Sequence, residues 1–224
     1  MIYGILILNK PSGYTSSYTI QKIKKQFNLK KIGHCGTLDP NATGVLIVCI
    51  GYATKLSTYL TNVKKRYLVE ITTNIKNNTD DIAGETLFFN NNHTYINKDK
   101  LIKNINSLKG RQLQIPPIFS ALKYKGLALY KYARKNIKIK RIPREIIIYE
   151  IKLINIKKYT FTLDIICSKG TYIREIINTL GKRMSLPICT TIISRISAGK
   201  YNILNSYSLN DVLNIKNLDN ILIN

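Results

Sequence analysis

Residues that bind metals are scarce in this chain of 224 residues, which has two histidines and four cysteines. The cysteines stand at positions 35, 49, 167 and 189, with no Cys-x-x-Cys pair and no histidine at ligand spacing. A zinc site is therefore not expected, and neither are disulfides in a reducing compartment. We expect all four thiols to be buried and chemically inert.

Long apolar runs are also missing, because every apolar stretch in the sequence is far shorter than a membrane-spanning helix. The N-terminus lacks a basic region followed by a cleavage site of small residues, so no secretory signal is predicted. Hydrophobic residues make up 45% of the chain, which is typical of a folded globular protein. The sequence therefore predicts a cytoplasmic protein with a substantial core and no membrane partner.

Acidic residues are few: 12 Asp and Glu stand against 35 Lys and Arg, giving a net charge of +23. Such an excess favours a polyanionic partner, with nucleic acid as the first candidate. Lysine far outnumbers arginine, and Ile and Asn are frequent, as drift in nucleotide composition would produce. The charge supports binding to RNA without proving it.

The most informative stretch is residues 33–40, Gly-His-Cys-Gly-Thr-Leu-Asp-Pro, which Gly44 follows four residues later. Apolar, strand-like runs lie on both sides, at 5–8 and 45–48. Three glycines, a proline and small polar residues indicate a shaped loop. That loop carries a single carboxylate, Asp39, and a rigid loop is how an enzyme aims one reactive group.

This stretch resembles the catalytic loop of the TruB-type tRNA pseudouridine synthases, and further blocks match that family in the same order. They are Leu-Asn-Lys-Pro-Ser-Gly at 8–13, Gly-x-Ala-Thr-Lys at 51–55, Lys-Arg-Tyr at 65–67, Pro-Pro-x-x-Ser-Ala-Leu-Lys at 116–123, Tyr-x-Tyr-Ala-Arg at 130–134 and Ser-Lys-Gly-Thr-Tyr-Ile-Arg at 168–174. The likeness runs from about Gly4 to Tyr201. It implies the pseudouridine synthase fold, an α+β architecture with a mixed, mainly antiparallel central sheet flanked by helices and loops.

The hydrophobic pattern by itself also favours an α+β domain, because strands and helices intermix without strict βαβ alternation. Strands are predicted at 2–8, 45–50, 66–73, 146–155, 159–167 and 188–196, and helices at 98–109, 172–184 and from a cap at Ser16 or Ser17. Ser208 and Asp211 form a capping-box pattern for a last helix. We expect a catalytic domain at 1–204 and a short helical extension at 205–224, too short for the PUA-type domain that the family often carries.

The resemblance implies that Asp39 is the nucleophile that converts uridine to pseudouridine. Attack at the sugar C1′, attack at the base C6 and elimination to a glycal all stay open. From the residues alone, Asp39 before Pro40 would be a turn or N-cap residue. Arg174 matches the family arginine that keeps this acid charged, so we predict an Arg174–Asp39 ion pair; the alternative is an exposed helix arginine beside Glu175 or solvent.

Four further positions match residues that surround the target base in the family. Tyr67 and Tyr172 are aromatic walls, with the Tyr67 hydroxyl a candidate to take the C5 proton. Ile193 is the apolar contact to the base. His34, which we expect to be exposed, matches the residue that fills the stack after the nucleotide flips out.

Basic side chains in the matched blocks are candidates for phosphate contacts: Lys10, Lys55, Lys123 and Arg134. The resemblance implies a tRNA partner, bound at the T arm with uridine 55 as target, an isomerase activity, no cofactor, no metal, and a monomer. Two other readings stay open, a tRNA chaperone acting on the elbow without essential catalysis and the catalytic subunit of a guide-RNA-dependent synthase.

Overall fold

The computed structural model describes residues 2–77, 86–89 and 96–223. In these residues the strands are β1 Gly4–Lys10, β2 Ile32–Cys35, β3 Thr43–Ile50, β4 Lys65–Thr73, β5 Ile75–Asn77, β6 Thr86–Phe89, β7 Gly110–Gln114, β8 Lys123–Tyr124, β9 Leu127–Ala128, β10 Arg144–Ile156, β11 Thr160–Cys167, β12 Ile188–Ala198, β13 Tyr201–Asn202 and β14 Tyr207–Ser208. The α-helices are α1 Ser16–Gln26, α2 Ser57–Thr61, α3 Lys98–Asn106, α4 Leu129–Ala133, α5 Ile173–Met184 and α6 Leu209–Asn214. Short 3₁₀ helices lie at Gly51–Leu56, Ile203–Asn205 and Leu218–Ile221.

The chain divides into two compact units. The first comprises Met1–Leu68 and Ile192–Asn224, and the second comprises Val69–Thr191. Along the chain, β4 and β12 each continue from one unit into the other. The expected division at residue 204 into a catalytic domain and an extension stays a prediction.

The first unit contains a mixed sheet around β1 and β3. These two strands pair antiparallel from Gly4 with Ile50 to Lys10 with Gly44, while β14 runs parallel to β1. On its other edge β3 pairs antiparallel with β2 and parallel with β12. Residues 45–50 of β3 are fully buried, as an uninterrupted apolar run predicts for a strand covered on both faces.

Helix α1 begins one residue earlier than the predicted caps. Thr15 is the N-cap, and its hydroxyl accepts a hydrogen bond from the Tyr18 amide at 3.1 Å. The hydroxyl of Ser16 is buried and bonds both the amide and the carbonyl of Leu38, at 2.9 and 3.1 Å. The predicted Ser16 or Ser17 cap is therefore wrong, because Ser16 is used to hold the loop before Asp39.

The second unit contains an antiparallel sheet in which β10 pairs with β11 on one side and β7 on the other. Every second residue of β11 is buried, which is the period-2 pattern of a strand covered on one face. Helix α3 packs against α5 and β10, burying Leu101 and Ile105. Together the two units confirm the α+β class with mixed and mainly antiparallel pairing.

Most predicted elements are confirmed, with small shifts at their ends. Strand β1 reaches Lys10 rather than ending before a turn there, because Asn9 and Lys10 pair with Val45 and Gly44. The capping box at α6 is confirmed: Ser208 and Asp211 exchange hydrogen bonds at 3.1 and 3.2 Å. None of the helices in the described part of the chain is long and apolar enough to cross a membrane.

Candidate active site

Asp39 lies in the loop between β2 and β3, residues 36–42, which we call the Asp39 loop. Its backbone is tied to the turn after β1, where the Gly13 amide donates to the Pro40 carbonyl at 3.0 Å. Leu38 and Ala42 are buried, whereas Asp39 itself is half-buried. The loop therefore has an anchored backbone and a partly accessible carboxylate.

Lys10 holds this loop through hydrogen bonds from its side chain. Its side chain is 0% exposed, and the ammonium donates to the carbonyls of Pro11, Tyr14 and Pro40 at 2.7, 2.7 and 2.9 Å. All three donors of the ammonium are thus matched by carbonyl acceptors. The predicted phosphate contact is therefore wrong for Lys10, because its charged end is enclosed by backbone rather than open to a ligand.

The charge on Lys10 is sensitive to its surroundings. Burial lowers its pKa from 10.5 to about 8, with the Asp39 carboxylate raising that pKa and the charge of Arg195 lowering it further. Because Asp39 raises this pKa and Arg195 lowers it, an anion and a second cation both lie close enough to the Lys10 ammonium to act on its charge. The Asp39 carboxylate thus interacts favourably with a cation of its own unit.

His34 lies in β2, opposite Val48 of β3, and is half-buried rather than exposed as expected. Burial, and then the charge of Arg195, lower the pKa of its imidazole, so the ring is neutral at pH 7. Within the part of the chain that the structure describes, its Nδ1 atom is buried and has no hydrogen-bond partner. A neutral ring beside the Asp39 loop is compatible with stacking on a base.

The four cysteines are free and buried, as predicted. Cys35 and Cys49 lie with their Sγ atoms 3.5 Å apart. The hydrogen bond from Cys49 lowers the pKa of the Cys35 thiol to about 7, and the same contact raises that of Cys49. Both side chains are 0% exposed, so a reagent in solution does not reach them in the folded protein.

Three other predicted positions belong to the first unit. Tyr67 in β4 and Ile193 in β12 are both buried, with 7% of each residue exposed. Lys55 is exposed at the end of a 3₁₀ helix, and its ammonium lies 5.7 Å from the ring centroid of Tyr52, which is itself exposed. Because Lys55 is exposed, a phosphate can reach it, and its phosphate contact stays a prediction.

Tyr172 and Arg174 belong to the second unit, at the start of α5. Tyr172 is the N-cap residue, and the side-chain amide of Gln114 bonds its backbone twice: the Tyr172 amide donates to Oε1 at 2.8 Å, and Nε2 donates to the Tyr172 carbonyl at 3.0 Å. Arg174 follows in the first turn with 8% exposure, and its Nη2 donates to the Phe119 carbonyl at 3.1 Å. The alternative of an exposed helix arginine is therefore wrong, while the pairing of Arg174 with Asp39 stays a prediction.

Lys123 and Arg134, also in the second unit, are both exposed. Lys123 lies in the β8–β9 hairpin, and Arg134 is the C-cap of α4, with its guanidinium 5.4 Å from the ring centroid of Tyr130. Both phosphate contacts stay predictions. Across the described residues, no three His, Cys, Asp or Glu side chains cluster as a metal site would require.

Comparison with known proteins bears on this site directly. Residues 24–173, which include the Asp39 loop and end at the start of α5, match the family described as TruB family pseudouridylate synthase (N terminal domain). The chain belongs to the TruB family. Pseudouridylate synthases are isomerases, so the protein is an enzyme of that class.

Relatives in this family cover nearly the whole chain. The tRNA pseudouridine synthase B of Blochmanniella floridana is 40% identical over 99% of this chain and 91% of its own length. The enzyme of the same name from Blochmanniella pennsylvanica is 46% identical over 89% of this chain and 76% of its own. The one from Legionella pneumophila strain Lens is 42% identical over 94% and 69%.

Solved structures confirm the pseudouridine synthase fold. A chain in the crystal structure of a Cbf5-Nop10-Gar1 complex superposes with a TM-score of 0.74 at 26% identity, over 94% of this chain. A chain of an archaeal box H/ACA sRNP Nop10-Cbf5 complex gives a TM-score of 0.69 at 23% identity. This TruB-family chain spans about half the length of each of those two.

Two residues of this TruB-family chain that hold predicted site segments were missed in the sequence: Arg195, which bonds the Asp39 loop in the first unit, and Gln114, which bonds Tyr172 in the second unit. Gln114 gives no signal, because its role depends on backbone that lies 58 residues away. Arg195 left a signal: strand alternation places it on the same side of β12 as buried Ile193, although its side chain is charged. A charge on the buried face of an apolar strand indicates a specific partner inside the protein.

Proposed function

We propose that this protein converts uridine 55, in the T loop of tRNA, to pseudouridine, with Asp39 as the nucleophile toward a flipped-out uridine. The names of the 40–46% identical relatives support tRNA as the substrate, and the net charge of +23 suits a polyanion. The observation that carries the proposal is the single carboxylate of Asp39, half-buried on a loop whose backbone is anchored by Lys10, Gly13 and Ser16.

The chemistry needs one such group. The C1′–N1 bond breaks, a C1′–C5 bond forms, the proton on C5 leaves and N1 gains a proton, so the reaction is balanced without redox change or an external group. A carboxylate can start this isomerisation by covalent attack or by taking a proton from the sugar. All three routes left open by the sequence use the same oxygen atoms of Asp39.

Asp39 must keep its charge when a bound base excludes water. Moving a carboxylate out of water disfavours its ionised form by about 4–7 kcal/mol. A cation about 4 Å away returns about 4 kcal/mol at an effective dielectric constant near 20. Lys10 already interacts with Asp39 inside the first unit, and we propose Arg174 as the second cation.

The other predicted residues complete the proposal. Tyr67 and Tyr172 would flank the uracil, and His34 would fill the vacated stack, which is worth about 1–3 kcal/mol per base. Ile193 would contact the base, while Lys55, Lys123 and Arg134 would hold phosphates of the T arm. The protein would act as a cytoplasmic monomer, without a metal or cofactor.

The test is Asp39→Asn, which keeps the size of the side chain and removes its charge. The variant should bind an unmodified tRNA transcript with a dissociation constant within about threefold of the parent, and should form no pseudouridine in a tritium-release assay. Asp99→Asn, at an exposed acid of α3, is the matched control and should keep full activity. Substantial turnover by Asp39→Asn would overturn the assignment.

A guide-RNA-dependent catalytic subunit is the second candidate, and the observation that favours a need for protein partners is the likeness to a Cbf5 chain solved with Nop10 and Gar1. The relatives named for tRNA are 40–46% identical to this chain, against 26% for that structure, so we place the tRNA activity first. Turnover on bare transcript by the purified chain would exclude an obligatory guide. Refolding of tRNA by Asp39→Asn would show a separate chaperone activity.

A further inference from the structure

We propose that Arg195 is a positioning residue that ties the start of the Asp39 loop to strand β3, which follows the loop. This inference rests on the proposed role of Asp39 as nucleophile. Arg195 lies in β12, more than 150 residues along the chain from the loop, and no matched block of the sequence assigns it a role.

The side chain of Arg195 bridges the first residue of the Asp39 loop and strand β3, which follows the loop. Its Nε donates to the Val45 carbonyl at 2.6 Å, and its Nη2 donates to the Gly36 carbonyl at 2.9 Å. Only 1% of the residue is exposed, so water does not compete for these bonds. The planar guanidinium fixes the direction of its donors and so fixes the two carbonyls relative to each other.

The backbone of Arg195 adds a second constraint. In the parallel pairing of β12 with β3, Arg195 lies opposite Gly44, whose φ is +100°. A Cβ atom at Gly44 would lie 2.2 Å from the Arg195 carbonyl oxygen, so no larger residue fits there. Gly36, with φ +85°, would place a Cβ 3.4 Å from Nη1 of the same arginine. Both glycines that bend the chain around Asp39 therefore face Arg195.

Lys10 supplies the middle of the same arrangement. Its ammonium holds the carbonyl of Pro40, directly after Asp39, while Arg195 holds Gly36 and Val45. Two buried cations that repel each other are costly, as the lowering of the Lys10 pKa by Arg195 shows. Because an apolar residue would fill the same strand position without that cost, the charge of Arg195 has a use, and the loop carbonyls are its partners.

A loop held at three points keeps the reactive carboxylate in one place. Misplacing a catalytic group by about 1 Å can cost about 100-fold in rate. Arg195→Lys keeps the charge but offers one ammonium instead of a fork, and Arg195→Met removes both donors. We expect the first to lower kcat about tenfold and the second about 100-fold.

The experiment measures single-turnover pseudouridine formation and tRNA dissociation constants at a temperature where circular dichroism shows each variant folded. The dissociation constant should stay within twofold of the parent, because Arg195 is enclosed and meets no RNA. Arg111→Lys, an exposed arginine beside Glu145, is the matched control and should keep full kcat. Folded Arg195 variants that keep kcat within twofold, or that lose binding as much as kcat, would overturn the proposal.

Hydrogen exchange separates this proposal from the proposed function. In Arg195→Met the amides of residues 36–44 should exchange at least tenfold faster, whereas those of α1 should be unchanged. If the parent protein makes no pseudouridine, the proposed function fails while the exchange measurement still decides whether Arg195 holds the loop. Equal exchange in parent and variant would show that it does not.

Discussion

Because the ammonium of Lys10 is buried, we expect the stability and the activity of the protein to respond to pH in opposite directions. The perturbation is Lys10→Met, compared with the parent protein between pH 7.5 and 9.5. In the structure the Lys10 side chain is fully buried, its three donors are used by three carbonyls, and its pKa falls from 10.5 to about 8. Methionine has a similar length and no proton to lose in this range.

The sign follows from which state holds the proton. Below pH 8 both the folded and the unfolded protein carry the charge, and the folded state bears the full cost of burying it. Between pH 8 and 10.5 the folded protein has released a proton that the unfolded chain still binds, so the free energy of unfolding rises with pH. The fall in pKa corresponds to about 3 kcal/mol in total, of which about 2 kcal/mol lies between pH 7.5 and 9.5.

Urea unfolding of both proteins at pH 7.5, 8.5 and 9.5 measures this effect. All other ionisable side chains are the same in the two proteins, so the difference in unfolding free energy isolates Lys10. We expect the stability of the parent relative to Lys10→Met to rise by about 2 kcal/mol across the range. Pseudouridine formation by the parent should meanwhile fall, because a neutral amine has two N–H donors for three carbonyls. A stability of the parent relative to Lys10→Met that stays flat or falls as pH rises would refute the reasoning.

Two further predictions concern the second unit. Gln114→Met removes both hydrogen bonds to the backbone of Tyr172, so the free energy of unfolding, measured by urea titration, should fall by about 1–3 kcal/mol. The kcat of the folded variant should fall as well, and an unchanged kcat would show that the function of Tyr172 does not depend on this amide. Lys123→Gln should lower the slope of log Kd for tRNA against log salt concentration by about one, since each phosphate contact releases about one counterion. An unchanged slope would assign Lys123 to solvent.

Local signals explain why the loop and its strands were predictable. The apolar run from Val45 to Ile50 has no reading other than a buried element, and the glycines around Asp39 exclude a regular one. The capping box at Ser208 is likewise complete within four residues. In each case the residues that decide the structure are neighbours in sequence.

Lys10 and Arg195 could not be placed in this way, because tertiary pairing supplies their partners. In the sequence Lys10 looks like a solvent-facing lysine, because the carbonyl of Pro40 that it bonds in the fold lies 30 residues away. Arg195 meets the carbonyls of Gly36 and Val45 across 159 and 150 residues. The sequence predicts a phosphate contact for Lys10 and no role for Arg195, whereas the structure uses both cations inside the protein.

The prediction of the α1 cap was wrong for a related reason. Thr15, Ser16 and Ser17 all have hydroxyls that can cap a helix, so local preference does not choose among them. The choice is made by Leu38, whose backbone takes the Ser16 hydroxyl and leaves Thr15 as the cap. A distant contact thus decided a local boundary.

The central claim is that this TruB-family chain by itself modifies one uridine of tRNA. The most direct test is nucleotide-resolution mapping of pseudouridine in an unmodified tRNA transcript incubated with the purified protein, without guide RNA or partner proteins. We predict conversion at position 55 and at no other uridine. An unmodified position 55, or conversion at a different uridine, would contradict the account.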